Sequence, residues 1–104
     1  MKKVTNDFEV FMKESNGVGT AFMSSVMKMS EVSALDPKTH ELAYISVLAA
    51  FQMVNGIPYH VKHAKELGAS LEEVKSAVLV GMPVVGLRIS EAFAMAIDSY
   101  SMEN

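Results

Sequence analysis

Apolar residues recur at helical spacing along most of this chain. A first helix is predicted over residues 5–15, with Phe8 and Phe11 on one face and Asn16-Gly17 closing it. A second amphipathic helix, rich in methionine, follows and ends near Ser33. No segment alternates apolar and polar residues for long enough to predict a strand. The pattern therefore predicts an all-α protein.

The clearest helix start is Asp36-Pro37. Aspartate accepts hydrogen bonds from the free N–H groups of a first helical turn, and proline fits the first helical position. The third predicted helix begins at Pro37 and is apolar nearly all round as far as Val54, before Asn55-Gly56 and Pro58 break it. Apolar residues on every side suit a central helix or a subunit interface.

Three further helices complete the prediction. Gly68 closes the fourth helix, and Ser70 with Glu73 forms a capping box for the fifth. Gly81-Met82-Pro83 then breaks an apolar stretch. The fourth helix is predicted over Ile57–Leu67, and the sixth over residues 84–100. We expect a bundle of about six helices in one domain that spans residues 1–104.

Composition excludes several classes of function. The chain has 104 residues, a formal net charge of −3 and no cysteine. It therefore has no disulfide, CxxC redox centre, iron–sulfur cluster or cysteine-ligated zinc, and no basic surface for nucleic acid. The longest apolar run, Leu42 to Val54, is shorter than the roughly 18 residues that a membrane-crossing helix needs. Lys2 and Lys3 precede a polar rather than an apolar segment, so we expect no signal peptide and a cytoplasmic protein.

The third, fifth and sixth predicted helices are more apolar than a chain of this size can cover. A domain this small buries only about two thirds of its unfolded surface, and monomers seldom expose large apolar patches. We therefore expect a homo-oligomer held by apolar helix faces. The alternative is a monomeric bundle with a methionine-rich core.

Glu41, His60 and His63 are the candidates for chemistry, with His40, Tyr59 and Glu66 behind them. The ordinary interpretation of Glu41 is a solvated charge at a helix start, and that of His60 is a hydrogen-bonded core or interface residue. His60 and His63 lie on one side of the fourth helix and could bind a metal ion, but this spacing is short and unspecific. No serine-nucleophile elbow or phosphate-binding loop is present.

Several of these features occur together in one known family. The chain carries Leu35-Asp36-Pro37-Lys38-Thr39-His40-Glu41-Leu42-Ala43, then Tyr59-His60-Val61-Lys62, then Gly68-Ala69-Ser70 with Glu73-Val74, then Gly81-Met82-Pro83. This ordered set resembles the carboxymuconolactone decarboxylase family, which includes the alkyl-hydroperoxidase-D-like proteins. The resemblance covers roughly Phe8 to Ile97. It implies an all-α fold that assembles as homo-trimers or hexamers.

The resemblance also implies which chemistry is absent. Counting from Glu41, the two cysteines of the family's peroxidase branch fall at Met53 and Gly56, so dithiol peroxidase activity is excluded. The decarboxylase branch uses a histidine at the position of His60, and it implies a cofactor-free lyase or isomerase for a small carbonyl acid, with Glu41 orienting His60. Tyr59, His63, Met53 and Gly56 would line the substrate pocket.

The sequence does not determine the substrate or whether the protein is catalytic. An anionic lactone would need a cationic partner, and Arg88 is the chain's single arginine. The alternative function is a non-catalytic oligomer that binds a ligand or a partner after losing the cysteines. An oxidoreductase with a borrowed cofactor is a third class, for which no motif is present.

Overall fold

A computed structural model describes residues 6–102. All regular secondary structure within this range is helical. Lys2, Lys3 and the predicted first residue of the first helix lie outside the described residues. Seven α-helices and two short 3₁₀ turns follow one another: α1 (Asn6–Glu14), α2 (Val18–Val32), α3 (Pro37–Ala50), a 3₁₀ turn (Val54–Gly56), α4 (Ile57–Glu66), α5 (Leu71–Leu79), α6 (Met82–Val85), a second 3₁₀ turn (Gly86–Ile89) and α7 (Ser90–Ser101). The all-α prediction is confirmed.

Local capping chemistry sets the starts of α3 and α5. The Asp36 carboxylate accepts a hydrogen bond from the Thr39 backbone N–H at 2.8 Å. At α5, the Ser70 hydroxyl accepts from the Glu73 N–H, and the Glu73 carboxylate accepts from the Ser70 N–H, which is the predicted capping box. These pairs satisfy N–H groups that a helix start leaves free. Gly68, with φ +97°, closes α4 as predicted.

The core lies between α3, α4, α5 and α7, which pack on one another. Each of these helices turns one stripe of small or branched side chains inward, as a helical repeat requires. The largest side chains that are fully buried are Ile45, Ile57, Val61, Val74, Val78 and Ile89. This core holds α3 and α4 against each other, and Glu41 and His60 lie on those two helices.

The α1–α2 hairpin is built differently. These two helices pack chiefly on each other, and Phe11 meets Phe22 edge-on with ring centroids 6.2 Å apart. Gly19 is the one buried residue of α2, and Met27 and Met29 are 62% and 60% exposed. The apolar face of α2 is therefore open to its surroundings in the single chain.

Two predicted helices differ from the structure. The third helix ends at Ala50 rather than near Val54, because Gln52 adopts the left-handed conformation (φ +57°) and turns the chain. The predicted sixth helix over residues 84–100 is interrupted, since Gly86 has φ +70° and only Ser90–Ser101 forms a long α-helix there. The bundle therefore has more and shorter elements than predicted.

Leu71–Ser101 is long and apolar enough to cross a membrane, judged by length and composition alone, which is a weak sign. In the fold this stretch is divided by the turn at Gly81 and the left-handed Gly86. Val78 and Ile89, from either side of these breaks, lie in the core.

Candidate active site

Glu41 lies on the inward face of α3. Ile45, Leu48 and Ala49 follow it at helical spacing and are buried with it, and Glu41 itself is 7% exposed. The interpretation of Glu41 as a solvated charge at a helix start is therefore wrong. A buried carboxylate costs several kcal/mol unless charged or hydrogen-bonding groups meet it. The groups that contact the Glu41 carboxylate therefore define the site.

His60 of α4 is the first of these partners. Its Nδ1 is hydrogen bonded to Oε1 of Glu41, across 19 residues of sequence. An ionised carboxylate can only accept, so beside an ionised Glu41 the hydrogen lies on Nδ1. The geometry thus ties a ring nitrogen of His60 to a fixed carboxylate, which sets both the tautomer and the orientation of the imidazole.

The other ring nitrogen of His60 is free. No group within residues 6–102 is hydrogen bonded to Nε2. In the same part of the chain no buried side-chain nitrogen or oxygen lacks a partner, so Nε2 cannot be buried. The His60 side chain is 20% exposed. His60 therefore presents an accessible Nε2 atom, while its Nδ1 atom is hydrogen bonded to Glu41.

His63 approaches the second oxygen of the same carboxylate. Its Nδ1 lies 3.5 Å from Oε2 of Glu41, and its side chain is 42% exposed. Two imidazoles one helical turn apart thus share one carboxylate. His63 is the more exposed of the two imidazoles.

Two tyrosines frame His60. The Tyr44 ring stacks on the imidazole with centroids 4.1 Å apart and planes 18° apart, whereas Tyr59 meets it edge-on at 5.1 Å. Tyr59 was a sequence candidate, but Tyr44 was not. Tyr44 follows Glu41 by three residues on α3 and so shares its side of the helix, which is the signal that could have identified it.

Met53 and Gly56 lie in the turn that leads into α4. The Gly56 N–H donates to the Met53 carbonyl at 3.1 Å. A Cβ atom at Gly56 would lie 3.2 Å from a methyl group of Leu48, so the site of this residue is tight. Neither residue is hydrogen bonded to Glu41 or His60 in the described chain. The turn therefore adjoins the first residues of α4 without contributing a polar group to the pair.

The remaining candidates lie apart from the pair. His40 makes a tilted contact with Tyr44 at 6.4 Å, and Glu66 is exposed at the end of α4. Among the residues that the structure describes, no group of three or more histidine, aspartate or glutamate side chains has a geometry that could hold a metal ion. His60 and His63 instead direct their Nδ1 atoms at one carboxylate.

Comparison with known protein families identifies the family of this chain. The model of the carboxymuconolactone decarboxylase family matches residues 18–98, which is most of the chain and includes α2 to α7 up to Asp98. The chain belongs to the carboxymuconolactone decarboxylase family. A search of curated proteins and a search of solved structures each found no significant match. Within the family this member has no cysteine, so it cannot carry out the dithiol chemistry of peroxidase members.

Proposed function

We propose that this carboxymuconolactone decarboxylase family member is a small acid/base enzyme, a lyase or isomerase that acts on a small carbonyl compound. The observation that supports this most directly is the His60–Glu41 pair. A carboxylate on Nδ1 leaves Nε2 as an accessible base, and an imidazole can take and return a proton near neutral pH. No bound group is needed for such a step.

In the proposed reaction, His60 removes a proton from a carbon next to the carbonyl group. Nε2 accepts that proton, and the electron pair of the C–H bond moves to the carbonyl oxygen. Glu41 stabilises the imidazolium that forms, since it already accepts the hydrogen bond from Nδ1. Return of the proton to another carbon completes an isomerisation. In a lyase reaction the bond to a carboxylate group would break in place of the C–H bond, CO₂ would leave, its electron pair would form the enolate, and a protonated His60 would give its proton to carbon.

Tyr44, Tyr59 and His63 would support this chemistry. The stacked Tyr44 and the edge-on Tyr59 restrict the rotation of the imidazole. Tyr59 is exposed enough to meet a ligand, and its hydroxyl is a donor of the kind that stabilises an enolate oxygen. His63 places a second imidazole on Glu41 and gives the carboxylate a second positive partner when protonated.

Deuterium incorporation from D₂O into small ketones, lactones and oxo acids, followed by proton NMR, tests the proposal. We expect His60→Gln and Glu41→Gln to lower the exchange rate, by about 10² to 10⁴-fold for His60→Gln. Glu66→Gln removes an exposed carboxylate of the same helix as His60 and should leave the rate unchanged. Equal exchange rates in the wild type and His60→Gln would contradict an acid/base role.

A non-catalytic oligomer that binds a ligand or partner is the second candidate function. The absence of cysteine at Met53 and Gly56 favours it, because the reactive groups of the peroxidase branch are gone. Its signature would be a folded protein that binds a small carbonyl compound but catalyses no exchange, in both the wild type and His60→Gln.

We also propose that the chain is a cytoplasmic homo-trimer or hexamer. The support is the open apolar face of α2, together with the exposed Phe51 that follows α3. Phe22→Asp should lower the mass measured by static light scattering, because a charge on that face opposes its burial. Lys28→Asp, on the same helix but at a polar position, is the control. A mass of one chain at micromolar concentration in the wild type would contradict the proposal.

A further inference from the structure

A shallow apolar depression is connected to the His60–Glu41 pair through Tyr44. Its lining residues come from the connection that follows α2 and from the outer side of α3: Ser33, Leu35, His40, Ala43, Tyr44 and Val47. Tyr44 belongs to both regions, because it lines the depression and also stacks on His60. A ligand in the depression therefore contacts the ring that lies against the proposed base.

The depression has few groups that could bind an anion. Its lining contains no lysine or arginine, and His40 is its one basic side chain. Glu41, one helical turn before Tyr44 on α3, is a carboxylate that would repel a second one. With neutral imidazoles, the pair and its surroundings carry a net negative charge.

The cationic side chains of the described chain are held elsewhere. Lys13 and Lys28 belong to the α1–α2 hairpin. The other five are engaged in contacts away from the pair: Lys38 with Glu73 at 3.1 Å, Lys62 with the Met102 carbonyl at 3.0 Å, Lys65 with the Tyr100 carbonyl at 2.8 Å, Lys75 with Glu72 at 3.1 Å, and Arg88 with Gln52 at 2.9 Å. Within residues 6–102, no lysine or arginine lines the depression or forms an ion pair with Glu41.

We infer that the depression binds the apolar part of an uncharged carbonyl compound, and that the enzyme is an isomerase for such compounds rather than a decarboxylase. This inference rests on the proposed function. It narrows that function because decarboxylation requires a substrate carboxylate, which this site does not match. It also departs from the carbonyl acid expected from the sequence.

The reaction balances without a further reactant. The C–H bond next to the carbonyl group breaks, its proton bonds to Nε2 of His60, and its electron pair forms an enolate. In a substrate with a carbon–carbon double bond next to that carbon, the proton then leaves Nε2 and forms a C–H bond at the far carbon of the double bond, so that the double bond moves into conjugation with the carbonyl group. Nothing is oxidised or reduced, and His60 ends as it began.

Binding of two matched probes tests the inference. Acetophenone and benzoate share an aromatic ring, but only benzoate is charged. Ligand-observed NMR at pH 8, above the usual titration range of an imidazole, should show acetophenone bound and benzoate at least about tenfold weaker. Equal or tighter binding of benzoate by the wild type would overturn the inference, and so would no binding of either probe.

A charge introduced into the lining of the depression should then change the relative affinity for acetophenone and benzoate. Val47 is 56% exposed and lines the depression, whereas Val84 is 86% exposed on α6, outside the lining. We expect Val47→Asp to weaken acetophenone binding about tenfold and Val47→Lys to strengthen benzoate binding about tenfold. Val84→Asp and Val84→Lys should do neither. Equal effects at both positions would overturn the assignment of the site.

The same probe separates this inference from the proposed function. His60→Gln should keep acetophenone binding but lose deuterium exchange at its methyl group. Exchange with oxo acids but not with acetophenone would overturn the inference and leave the acid/base function standing. Binding of acetophenone at the Val47 site without exchange in the wild type would contradict the acid/base function alone. If Val47→Asp lowers the assembled mass and no probe binds the wild type, a second copy of the chain covers the depression.

Discussion

The α3–α4–α5–α7 core and the α1–α2 hairpin carry similar apolar side chains but differ in how far they bury them. In the core, Ile45 and Val61 are fully buried, and the inward stripe of α3 ends in a buried carboxylate. In the hairpin, Met27 and Phe22 lie largely open. Apolar residues at helical spacing therefore predict a helix in both regions, but they do not tell whether the same chain or another molecule covers its face.

The comparison also distinguishes the region that holds the candidate site from the region proposed to associate with other chains. The His60–Glu41 pair lies between two core helices that pack on each other, so both side chains are held by buried neighbours. The hairpin contributes no residue to the pair. Variants of the core should therefore change folding or chemistry, and variants of the α2 face should change association.

The largest difference between the regions should appear in folding stability. Ile45→Ala leaves a cavity in the fully buried stripe of α3, and we expect it to lower the free energy of unfolding by about 2–5 kcal/mol. Met27→Ala on the hairpin should change it by less than about 0.5 kcal/mol in dilute protein. Urea denaturation measures both. Similar losses for the two variants would show that the hairpin is part of the folding core.

Helix capping gives a smaller contrast. Ser70→Ala removes the hydroxyl that accepts from the Glu73 N–H, and it should cost about 1 kcal/mol. Ser25→Ala on α2 removes a hydroxyl that bonds only to the Ala21 carbonyl of its own helix, so we expect a change within about 0.5 kcal/mol. An equal cost at both serines would remove the distinction between capped core helices and α2.

Such capping was predictable from the sequence because it depends on residues three apart. Asp36-Pro37, Ser70 with Glu73, and Gly68 each mark a helix end through local hydrogen bonds or backbone conformation. The end of α3 was not predictable in this way. Gln52 adopts φ +57° while its side chain accepts from Arg88, 36 residues away, and no local pattern marks that conformation.

The site was predictable only in part. The resemblance to the family pointed to Glu41 and His60, but their meeting depends on how α3 packs on α4, which residue spacing alone does not determine. The stacking of Tyr44 on His60 has the same origin. The break at Gly86 was missed because a left-handed glycine inside an apolar run leaves the hydrophobic pattern unchanged.

The smallest expected difference between the two regions is in how their carboxylates affect stability at acidic pH. The Ser70 N–H and then Lys38 lower the pKa of Glu73, and the Thr39 N–H and hydroxyl lower the pKa of Asp36. A folded-state pKa below the unfolded value stabilises the fold above the unfolded pKa, and this contribution is lost as pH falls through the folded value. Asp36→Asn with Glu73→Gln should therefore flatten the fall of the melting temperature below about pH 5.

Glu31→Gln on α2 is the matched control for this acid effect. It removes a carboxylate from the hairpin, where no cap or ion pair of the described chain involves it, and it should leave the acid slope as in the wild type. A double variant at residues 36 and 73 with the wild-type slope would show that these caps do not link stability to pH.

The tautomer of His60, read from the nitrogen-15 shifts of its ring, tests the central claim most directly. A neutral imidazole whose Nδ1 donates to Glu41 must carry its hydrogen on Nδ1 and leave Nε2 bare. We predict the Nδ1–H tautomer in the wild type and its loss in Glu41→Gln. A neutral His60 with its hydrogen on Nε2, unchanged by Glu41→Gln, would contradict the account.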